Sequence, residues 1–412
     1  MGNIYIAGVA MTVFGRHVER SIDDLAGEAL RGALKDAGCG RDAIEAAFYA
    51  GITNGPLQGQ TSIPGQVVFS KIGIEGIPIF NVENACASGS TAVHLAVQRL
   101  AAGSCDVALA IGAEKMNIPD KVKSFAIFEG GWDVSRVEEN FENLMKLGEG
   151  IDPPPGSESD RPFSRFMSVY AALCRHHMKT YGTTQRQIAA VSSKNHMHSV
   201  HNPYSQFRKP FSIDEVLSAP PITYPITLPM CSPLSDGAAA AILCTEEGLR
   251  RIGADRGRCV RVAASVIRSF THRRVDEPEK SIGRLAALEA YERAGLGPED
   301  MDVAEVHDAS AMGEILQAEN LGLAPLGQGG PAAERGEFTL GGRMPINTSG
   351  GLESKGHPLG ATGIGQIHEL VMQLRGEAGA RQVQGARHAI QENGGGFQGI
   401  EEAALAIHIL SR

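Results

Sequence analysis

The sequence lacks the features of a membrane-spanning or exported protein. Its 412 residues contain no apolar run approaching about eighteen residues, the length that a membrane helix needs. The start of the chain has no basic segment followed by an apolar one, so we expect no signal peptide, no membrane span and a cytoplasmic location. The net charge of −9 argues against nucleic acid as a partner.

Cysteine is sparse and scattered. The seven cysteines, at positions 39, 86, 105, 174, 231, 244 and 259, include no Cys-x-x-Cys pair. Such a set predicts reduced thiols that are mostly small buried hydrophobes, with room for one nucleophile. Cys174, His176 and His177 lie close together, but no second ligand pair follows at zinc spacing, so we expect no metal site.

Glycine is abundant and aromatic residues are few, at 50 residues and 5%, which suits an α/β protein. A helix pattern at 28–38 ends in glycine and precedes a strand pattern at 43–49. The same order returns at 285–295 and 303–306, which we interpret as the trace of an internal repeat.

Each half of the repeat then has a small-residue turn that opens a helix, at 85–89 and at 356–360. Each half also ends in an apolar strand, at 237–244 and at 403–410. Alternating strands and helices, repeated twice, predict two mixed sheets packed around shared central helices. We expect the chemistry at the junction of the halves.

A segment between Met116 and Met230 has no counterpart in the second half and is interpreted as an insertion. From Arg161 to Ser212 it holds eight Lys or Arg and no Asp or Glu. A basic surface on an acidic protein suits an anionic ligand such as the phosphates of a nucleotide. The alternative is a solvated helix face that merely lacks acids.

Cys86 is the candidate nucleophile. It follows a strand-like run at 77–82 and precedes a helical pattern at 87–96. A cysteine at a helix N-terminus meets unpaired N–H groups and the positive end of the helix dipole, which favour the thiolate. The alternative is a small buried thiol at a tight turn.

Two histidines and a glycine run are further candidates. His357 lies in a glycine-rich turn that opens a helix, where it could take the proton from a thiol. His307 and Asp308 follow a strand, with Glu314 nearby, and form either a tuned donor or a satisfied structural pair. Gly394 begins a triple glycine whose N–H groups are of the kind that forms an oxyanion hole.

Together these elements resemble the thiolase family, most closely its sterol-carrier-protein-2 type branch, over essentially the whole chain. Residues 84–89 match the nucleophile motif, 356–358 the Gly-His-Pro loop, and 307–314 the branch's His-Asp-Cys-Phe loop. Ser232 opens a turn, 232–240, that matches the one whose first serine contacts pantetheine in relatives.

The resemblance implies a fold and a division into domains. The fold would be an α/β thiolase fold, with duplicated αβαβα halves forming a five-layered core plus an inserted loop domain. Residues 1–116 and 231–262 would form the N-terminal half, 117–230 the coenzyme A-binding loop domain, and 263–412 the C-terminal half.

It also implies roles for the catalytic candidates. Cys86 would attack the ketone carbon of a 3-ketoacyl-CoA after activation by His357. His357 and His307 would polarise the thioester oxygen of the leaving enolate, and the Cys86 and Gly394 amides would hold the oxyanion on the acyl-enzyme side.

Coenzyme A would be a substrate, with no cofactor bound permanently. Ser232 is the candidate pantetheine contact, and Lys194, Arg208 and Lys209 are the candidate contacts of the phosphates. The partners implied are acyl-CoA and coenzyme A, a second copy of the chain in a homodimer or homotetramer, and a small zinc-ribbon protein, which some enzymes of the branch require.

The sequence departs from the family where a second cysteine usually serves as acid/base for the α-carbon. Glu392 stands in the Cys-x-Gly position, and Ala309 and Ser310 replace the Cys and Phe of the His-Asp loop. Either Glu392 moves the proton, with a pKa raised by burial, or the chemistry needs no proton transfer there. The small residues at 309–311 suggest a wider pocket.

We therefore expect a thiolase that cleaves or forms a 3-ketoacyl-CoA, working in the degradative direction on a substituted or bulky acyl chain. A Cys-His-His acyltransferase, a decarboxylating condensing enzyme or a retro-aldolase on the same scaffold is the alternative. A non-catalytic acyl-CoA or lipid-binding protein is the third possibility.

Overall fold

The alternating pattern of the sequence is realised as a layered α/β structure. A computed structural model describes residues 2–412. The strands are β1 (Ile4–Met11), β2 (Ala46–Ala50), β3 (Ile79–Val82), β4 (Val107–Glu114), β5 (Pro221–Thr223), β6 (Ile226–Thr227), β7 (Gly237–Thr245), β8 (Val260–Ser269), β9 (Val303–Glu305), β10 (His388–Gln398) and β11 (Glu401–Ser411).

The helices connect these strands or form the insertion between β4 and β7. They are α1 (Ile22–Ala37), α2 (Asn54–Gln58), α3 (Pro64–Lys71), α4 (Ser88–Ala101), α5 (Lys121–Ala126), α6 (Val137–Met145), α7 (Arg165–Tyr181), α8 (Gln185–Ser199), α9 (Ile213–Leu217), α10 (Glu246–Ile252), α11 (Ile282–Ala294), α12 (Ala311–Asn320), α13 (Gly329–Glu334), α14 (Gly351–Lys355) and α15 (Leu359–Arg375).

The predicted repeat elements are confirmed, with shifted ends. Helix α1 begins earlier than predicted because Ser21 and Asp24 form a capping box at its start. It ends where predicted, at Gly38, which adopts the left-handed conformation with φ 72°. Helix α11 ends in the same way at Gly295, with φ 67°.

The strand order shows the duplication directly. The sheet runs β3-β2-β4-β7-β1-β8-β11-β10-β9. From the middle outwards, β1-β7-β4-β2 in one half is matched by β8-β11-β10-β9 in the other. In both quartets the first two pairings are antiparallel and the third is parallel. Strand β3 is an addition to the N-terminal half.

The sequence predicted two separate sheets. The structure instead joins the two half-sheets edge to edge in one nine-stranded sheet. Strands β1 and β8 pair antiparallel at Tyr5 with Arg261 and at Ile6 with Val260. This short junction makes one hydrogen-bonded ladder of the two halves. The predicted boundary between residues 262 and 263 falls inside β8, which pairs with β11 over most of its length.

The central helices α4 and α15 pack against each other and against strands of both halves, so they form the middle of five layers. Helix α1 covers the outer face of the N-terminal half-sheet, and α11 and α12 cover that of the C-terminal half-sheet. The approach in the middle is close: a Cβ added at Gly112 of β4 would lie 2.0 Å from the carbonyl oxygen of Gly360 in α15. A Cβ added at Gly89 of α4 would lie 2.6 Å from that same oxygen.

The insertion between β4 and β7 contains α5 to α9 and the small β5–β6 pair. Its helices α7 and α8 pack against the C-terminal half through a shared core that includes Tyr170, Cys174 and Ile188. In the described part of the chain, no helix has both the length and the apolar composition to cross a membrane.

Replacing Gly112 by alanine tests the close approach of β4 to α15. The added methyl group would overlap a backbone oxygen that cannot rotate away, and overpacking of this kind costs about 1–3 kcal/mol or more. We expect Gly112→Ala to lower the melting temperature measured by circular dichroism. Gly55→Ala is the matched control, because a Cβ there would meet its nearest neighbour, in Thr61, at 3.6 Å. Equal melting temperatures for the two variants would contradict this packing.

Candidate active site

Cys86 is presented by a strained turn between β3 and α4. Ala85 adopts the left-handed region with φ 47°, which is unfavourable for a residue with a Cβ. The turn is held by Ser88, whose hydroxyl accepts from the Asn84 N–H at 2.8 Å and donates to the Ala85 carbonyl at 2.6 Å. The Ala87 N–H donates to the Asn84 carbonyl at 3.0 Å. Local hydrogen bonds therefore fix the direction of the Cys86 side chain.

The triple glycine lies inside strand β10 and passes directly beneath this turn. A Cβ added at Gly395 would lie 2.2 Å from the Asn84 carbonyl oxygen and 2.6 Å from the Ala87 nitrogen. Only glycine leaves room for this approach. The glycine in contact with the nucleophile turn is thus Gly395, the neighbour of the predicted Gly394.

His357 is held between α14 and α15 by two hydrogen bonds, one from its backbone and one from its ring. Its N–H donates to the Ser235 hydroxyl at 2.9 Å. The Thr362 hydroxyl donates to the Pro358 carbonyl at 3.0 Å, so it accepts from His357 Nδ1–H at 2.7 Å. This assigns the proton to Nδ1 and leaves Nε2 as an acceptor.

Cys86, His357 and His307 converge at the junction of the halves. The Cys86 thiol lies 3.3 Å from His357 Nε2, where it can donate its proton. His307 Nε2 lies 3.5 Å from the same His357 nitrogen. These residues are 50 to 271 positions apart in sequence and come from a strand end and two helix starts. The convergence follows from the duplicated fold.

His307 is tied to its surroundings through the backbone and through the next residue. Its N–H donates to the Glu392 carboxyl at 2.9 Å. The Asp308 carboxylate accepts from the Leu352 N–H of α14 at 2.8 Å and from the Asn195 amide at 3.0 Å. Since α14 leads directly into the His357 loop, Asp308 links the positions of the two histidines.

The converging groups are uncharged at neutral pH. Burial raises the pKa of the Cys86 thiol to about 12. Burial lowers the pKa of His307 to about 4, and burial together with His307 holds the pKa of His357 well below its ordinary value. Helix α4 begins at Ser88, two residues beyond Cys86, and burial of the thiol favours its protonated form over the thiolate that the sequence predicts.

A cavity of about 280 Å³ opens onto these three side chains. Aromatic rings form much of its wall, contributed by Phe125, Phe128, Phe163, Phe166, Tyr170 and Phe397. All but Phe397 belong to the insertion. Ala309 lines the cavity, so the small residue at that position faces this space.

Glu392 and Gly394 lie close to the cavity without lining it. The Glu392 carboxyl is fully buried and accepts the His307 N–H, so it is placed behind that loop. Burial raises the pKa of Glu392 well above its ordinary range, and the neighbouring Glu402 adds to this. Gly394 faces Glu402, whose Cγ would lie 2.6 Å from a Cβ added there.

The predicted coenzyme A residues are placed in three different settings. Ser232 lines the cavity, and its N–H donates to the Ala309 carbonyl at 3.0 Å. Arg208 and Lys209 are exposed. Lys194 is only 5% exposed and forms an ion pair with Glu314 at 2.8 Å. This corrects the expectation that Lys194 faces a phosphate, because its charge is neutralised inside the protein.

Three of the eight basic residues in the acid-free stretch, Lys194 among them, are paired with acids from elsewhere in the chain. Arg165 pairs with Glu138 at 2.7 Å, and Arg186 pairs with Asp214 at 2.8 Å. The exposed charge that remains for an anionic ligand is therefore concentrated at fewer positions than the sequence suggested.

The only group of metal-ligating atoms found in residues 2–412 is the catalytic set itself. The ligand atoms of Cys86, His307 and His357 all lie within 4.8 Å of one another. Cys174 and the histidines after it form no such group among these residues, since His177 contacts Thr183 at 2.7 Å and Glu319 at 3.2 Å.

Sequence reasoning missed several residues that shape the site. Ser235 and Thr362 orient His357, and Thr362 had a recognisable signal because it lies five residues after the histidine, about one helical turn away. Glu402 lines the cavity but gave no signal, because it sits in an apolar strand pattern beside the equally acidic Glu401.

Comparison with known proteins agrees with this geometry. The chain matches the family models described as "Thiolase, N-terminal domain" over residues 4–218 and "Thiolase C-terminal domain-like" over residues 265–411. It is 39% identical over 401 residues to sterol carrier protein 2 of Oryctolagus cuniculus, covering 95% of this chain and 69% of that protein. It is 36% identical over 420 residues to the acetyl-CoA acetyltransferase of Methanothermobacter thermautotrophicus, covering 100% of both.

A third relative is the benzoylsuccinyl-CoA thiolase subunit BbsB of Thauera aromatica, 34% identical over 385 residues and covering 92% of this chain and 91% of that one. Among solved structures, the "Ltp2-ChsH2(DUF35) aldolase" has a TM-score of 0.76 at 20% identity, covering 100% and 98%. Human mitochondrial 3-ketoacyl-CoA thiolase in complex with CoA has a TM-score of 0.71 at 16% identity, covering 100% and 98%. The chain therefore belongs to the thiolase superfamily, in its sterol-carrier-protein-2 type branch, and is an acyltransferase.

Proposed function

We propose that this enzyme is a degradative thiolase that cleaves a 3-ketoacyl-CoA with a substituted or bulky acyl chain. The observation that carries the proposal is the 3.3 Å contact between the Cys86 thiol and His357 Nε2, with His307 beside them, at an aromatic-lined cavity. A thiol, a base able to take its proton and a second imidazole are the groups that thioester chemistry at a ketone carbon requires.

The first half-reaction transfers the acyl chain to the enzyme. Cys86 loses its proton to His357 Nε2 as sulfur attacks the ketone carbon, and the bond between the α and β carbons then breaks. The acyl group stays on Cys86, and the electron pair leaves in the enolate of acetyl-CoA. His307 Nε2, on the cavity side, is in position to donate to the enolate oxygen.

Neutral partners suit this mechanism. A buried thiol and a buried imidazole that are both uncharged at rest form an ion pair only when the bound substrate accepts the thiolate. The mainly apolar wall of the cavity lowers the local dielectric constant, which strengthens the interaction of the new charges with nearby donors. The N–H of Cys86 itself, together with that of a glycine in β10, is the proposed oxyanion site.

The aromatic wall supports a bulky acyl chain. Flat rings at 125, 128, 163 and 166 offer stacking surfaces, and Ala309 leaves open a place where a larger side chain would project. The relative named as a benzoylsuccinyl-CoA thiolase subunit points in the same direction.

A second candidate is a retro-aldolase or acyltransferase on the same scaffold. It is favoured by Ala309 and Glu392, which occupy the two positions where the family usually carries its second cysteine, and by the aldolase named among the similar structures. A retro-aldolase would cleave a 3-hydroxyacyl-CoA and need no free coenzyme A, whereas a thiolase needs both a 3-ketoacyl-CoA and coenzyme A.

Coenzyme A is proposed to enter along the inserted loop domain, 117–230, with its pantetheine near Ser232 and its phosphates near Arg208 and Lys209. A homodimer or homotetramer in the cytoplasm is proposed from the family resemblance. A small zinc-ribbon partner is proposed on the same basis, supported by the ChsH2(DUF35) component that the similar aldolase structure carries in its name.

Replacing Cys86 tests the covalent step. We expect Cys86→Ala to abolish thiolytic release of shortened acyl-CoA while the circular dichroism spectrum stays unchanged, because no acyl-enzyme can form. In the wild type, mass spectrometry of the intact protein after incubation with a 3-ketoacyl-CoA should show the acyl adduct, and adding coenzyme A should remove it. Residual turnover above a few per cent in Cys86→Ala would exclude covalent catalysis, and a wild type without adduct or product would favour a lipid-binding protein.

The pH dependence of alkylation tests the neutral resting state of the thiol. With the pKa of Cys86 raised to about 12, the thiolate fraction of the free enzyme should grow about tenfold per pH unit. We expect the rate of iodoacetamide modification at Cys86, followed by peptide mass spectrometry, to rise from about pH 7 to about pH 10 without a plateau. A plateau at neutral pH would mean that the thiolate is already formed in the free enzyme. If the modification rate in His357→Asn rises with pH at the same slope as in the wild type, the slope reports ionisation of the thiol and not assistance by the His357 base.

Charge reversal tests the coenzyme A surface. Arg208→Glu and Lys209→Glu should each raise KM for coenzyme A about three- to tenfold with a smaller effect on kcat, because they remove binding that is equal in ground and transition states. High salt should mimic the change. Arg186→Gln is the control, since Arg186 is already paired with Asp214. Unchanged KM in both variants would reduce the exposed positive charges to a solvated face.

A further inference from the structure

Glu402 brings a carboxyl group to the active-site cavity. It lies at the start of β11, just after the β10–β11 connection, paired across the ladder with Phe397. Among the residues described as lining the cavity, it is the one carboxylic acid, and it shares that lining with Cys86, His307 and His357. The rest of the wall is largely aromatic and aliphatic, so placing a carboxyl group here costs free energy that an apolar side chain would not.

The side chain of Glu402 is held in a defined position. Its Oε1 accepts a hydrogen bond from the Gln317 amide of α12 at 3.0 Å. Its Cγ and Cδ lie over the backbone of Gly394, where an added Cβ would come within 2.6 and 3.2 Å of them. A glycine at 394 leaves the room that Glu402 occupies, and the hydrogen bond from Gln317 fixes one of the two carboxyl oxygens of Glu402.

Glu402 approaches strand β10 close to the sequence position where the family's second cysteine is missing. Glu392, which occupies that sequence position, is fully buried, and its carboxyl accepts a hydrogen bond from the His307 N–H. Glu402 reaches the space next to Gly394, only two residues further along β10, from the neighbouring strand. Cys231 also lines the cavity, but its thiol donates to the Thr227 carbonyl at 3.7 Å.

The protonation state of the acidic pair supports a proton donor. Burial raises the pKa of Glu402, with Glu401 adding to the effect. Burial also raises the pKa of Glu392 well above its ordinary range, with Glu402 as the next cause. Burial and neighbouring carboxyls thus shift the pKa of both acids towards the protonated form.

We propose that Glu402 is the catalytic acid/base that exchanges a proton with the α-carbon of the coenzyme A thioester. This inference rests on the proposed thiolase function and adds to it the group that the sequence left unassigned. Glu392 instead acts as a positioning residue for the His307 loop.

The proton balance closes over the two half-reactions. In the first, the Cys86 proton passes to His357, and the enolate carbon takes the proton of Glu402 to give acetyl-CoA. In the second, the Glu402 carboxylate takes the proton of the incoming coenzyme A thiol, whose sulfur attacks the acyl-enzyme. The departing Cys86 sulfur recovers its proton from His357, and all groups return to their starting state.

The test separates carbon–carbon cleavage from acyl transfer. Glu402→Gln keeps the size of the side chain and an oxygen for the Gln317 amide. We expect it to slow thiolytic cleavage about 10²- to 10⁴-fold, the usual effect of removing a general acid/base. Transfer of an acyl group from a simple acyl-CoA to Cys86, measured as a mass shift, should stay near the wild-type rate because no α-carbon proton moves. Exchange of the acetyl-CoA α-protons in deuterated water should fall together with cleavage.

Two further variants define the result. Glu289→Gln is the matched control: its carboxyl pairs with Arg268 at 2.6 Å and does not line this cavity, so exchange and cleavage should stay at wild-type level. Glu402→Asp should recover part of the exchange, which a purely structural role would not predict.

Normal cleavage and exchange in Glu402→Gln would overturn the inference, as would a loss of exchange in Glu392→Gln while Glu402→Gln keeps it. A wild type that forms the acyl-enzyme without exchanging α-protons would overturn it too, in favour of acyl transfer. Failure of the proposed function looks different, because the wild type itself would then release no shortened acyl-CoA from a 3-ketoacyl-CoA and coenzyme A.

Discussion

The close backbone approach at the start of α15 is the constraint on which the active site depends. The Gly360 carbonyl oxygen lies where a side chain of Gly112 or Gly89 would have to be. The backbone of α15 therefore packs directly against those of β4 and α4, with no side chain between them. The Gly360 N–H is fixed at the same time by the buried Glu114 carboxylate, at 3.0 Å. Because Cys86 lies just before α4 and His357 just before α15, this packing brings a thiol and an imidazole from different halves within hydrogen-bonding distance.

The electrostatics of the site follow from that burial. Desolvation raises the pKa of the Cys86 thiol and lowers the pKa values of His307 and His357. The shifts are opposite in sign because the thiol is neutral when protonated and the imidazole is neutral when deprotonated, and in both cases the neutral form is favoured. Thiol and imidazoles are all neutral at rest. In the proposed mechanism the thiol and its base are already close together before substrate binds. Their ion pair forms only when the thiol sulfur attacks the substrate.

The fold was largely predictable because its signals are local and periodic. Helix ends at Gly38 and Gly295 and the apolar strands before and after them are written in neighbouring residues, and the repeat doubles each signal. The junction of β1 with β8 was not predictable, since pairing at Tyr5 and Ile6 with Arg261 and Val260 depends on how two half-sheets meet. Edge-to-edge contacts of this kind leave no pattern in either strand alone.

The candidate site divides in the same way. Cys86 and His357 were identifiable because each sits in a short motif at a helix start. Lys194 looked like a surface charge because its partner, Glu314, is 120 residues away, and only the fold brings the two together. Glu402 was hidden for the converse reason: nothing in the neighbouring sequence of β11 distinguishes a carboxyl facing the cavity from Glu401 beside it.

The aromatic wall of the cavity and the residues that carry the thiol and the imidazole come from different parts of the chain. The proposed nucleophile, its proposed base and the strained turn at Ala85 belong to the duplicated core, where several glycines lie too close to backbone atoms to accept a side chain. Most of the rings that surround the acyl space belong to the segment between β4 and β7, which has no counterpart in the other half. Mutations in that segment can reshape the acyl space while the thiol and its base stay in register. Such a division makes this segment the natural target for mutagenesis when a new acyl specificity is sought.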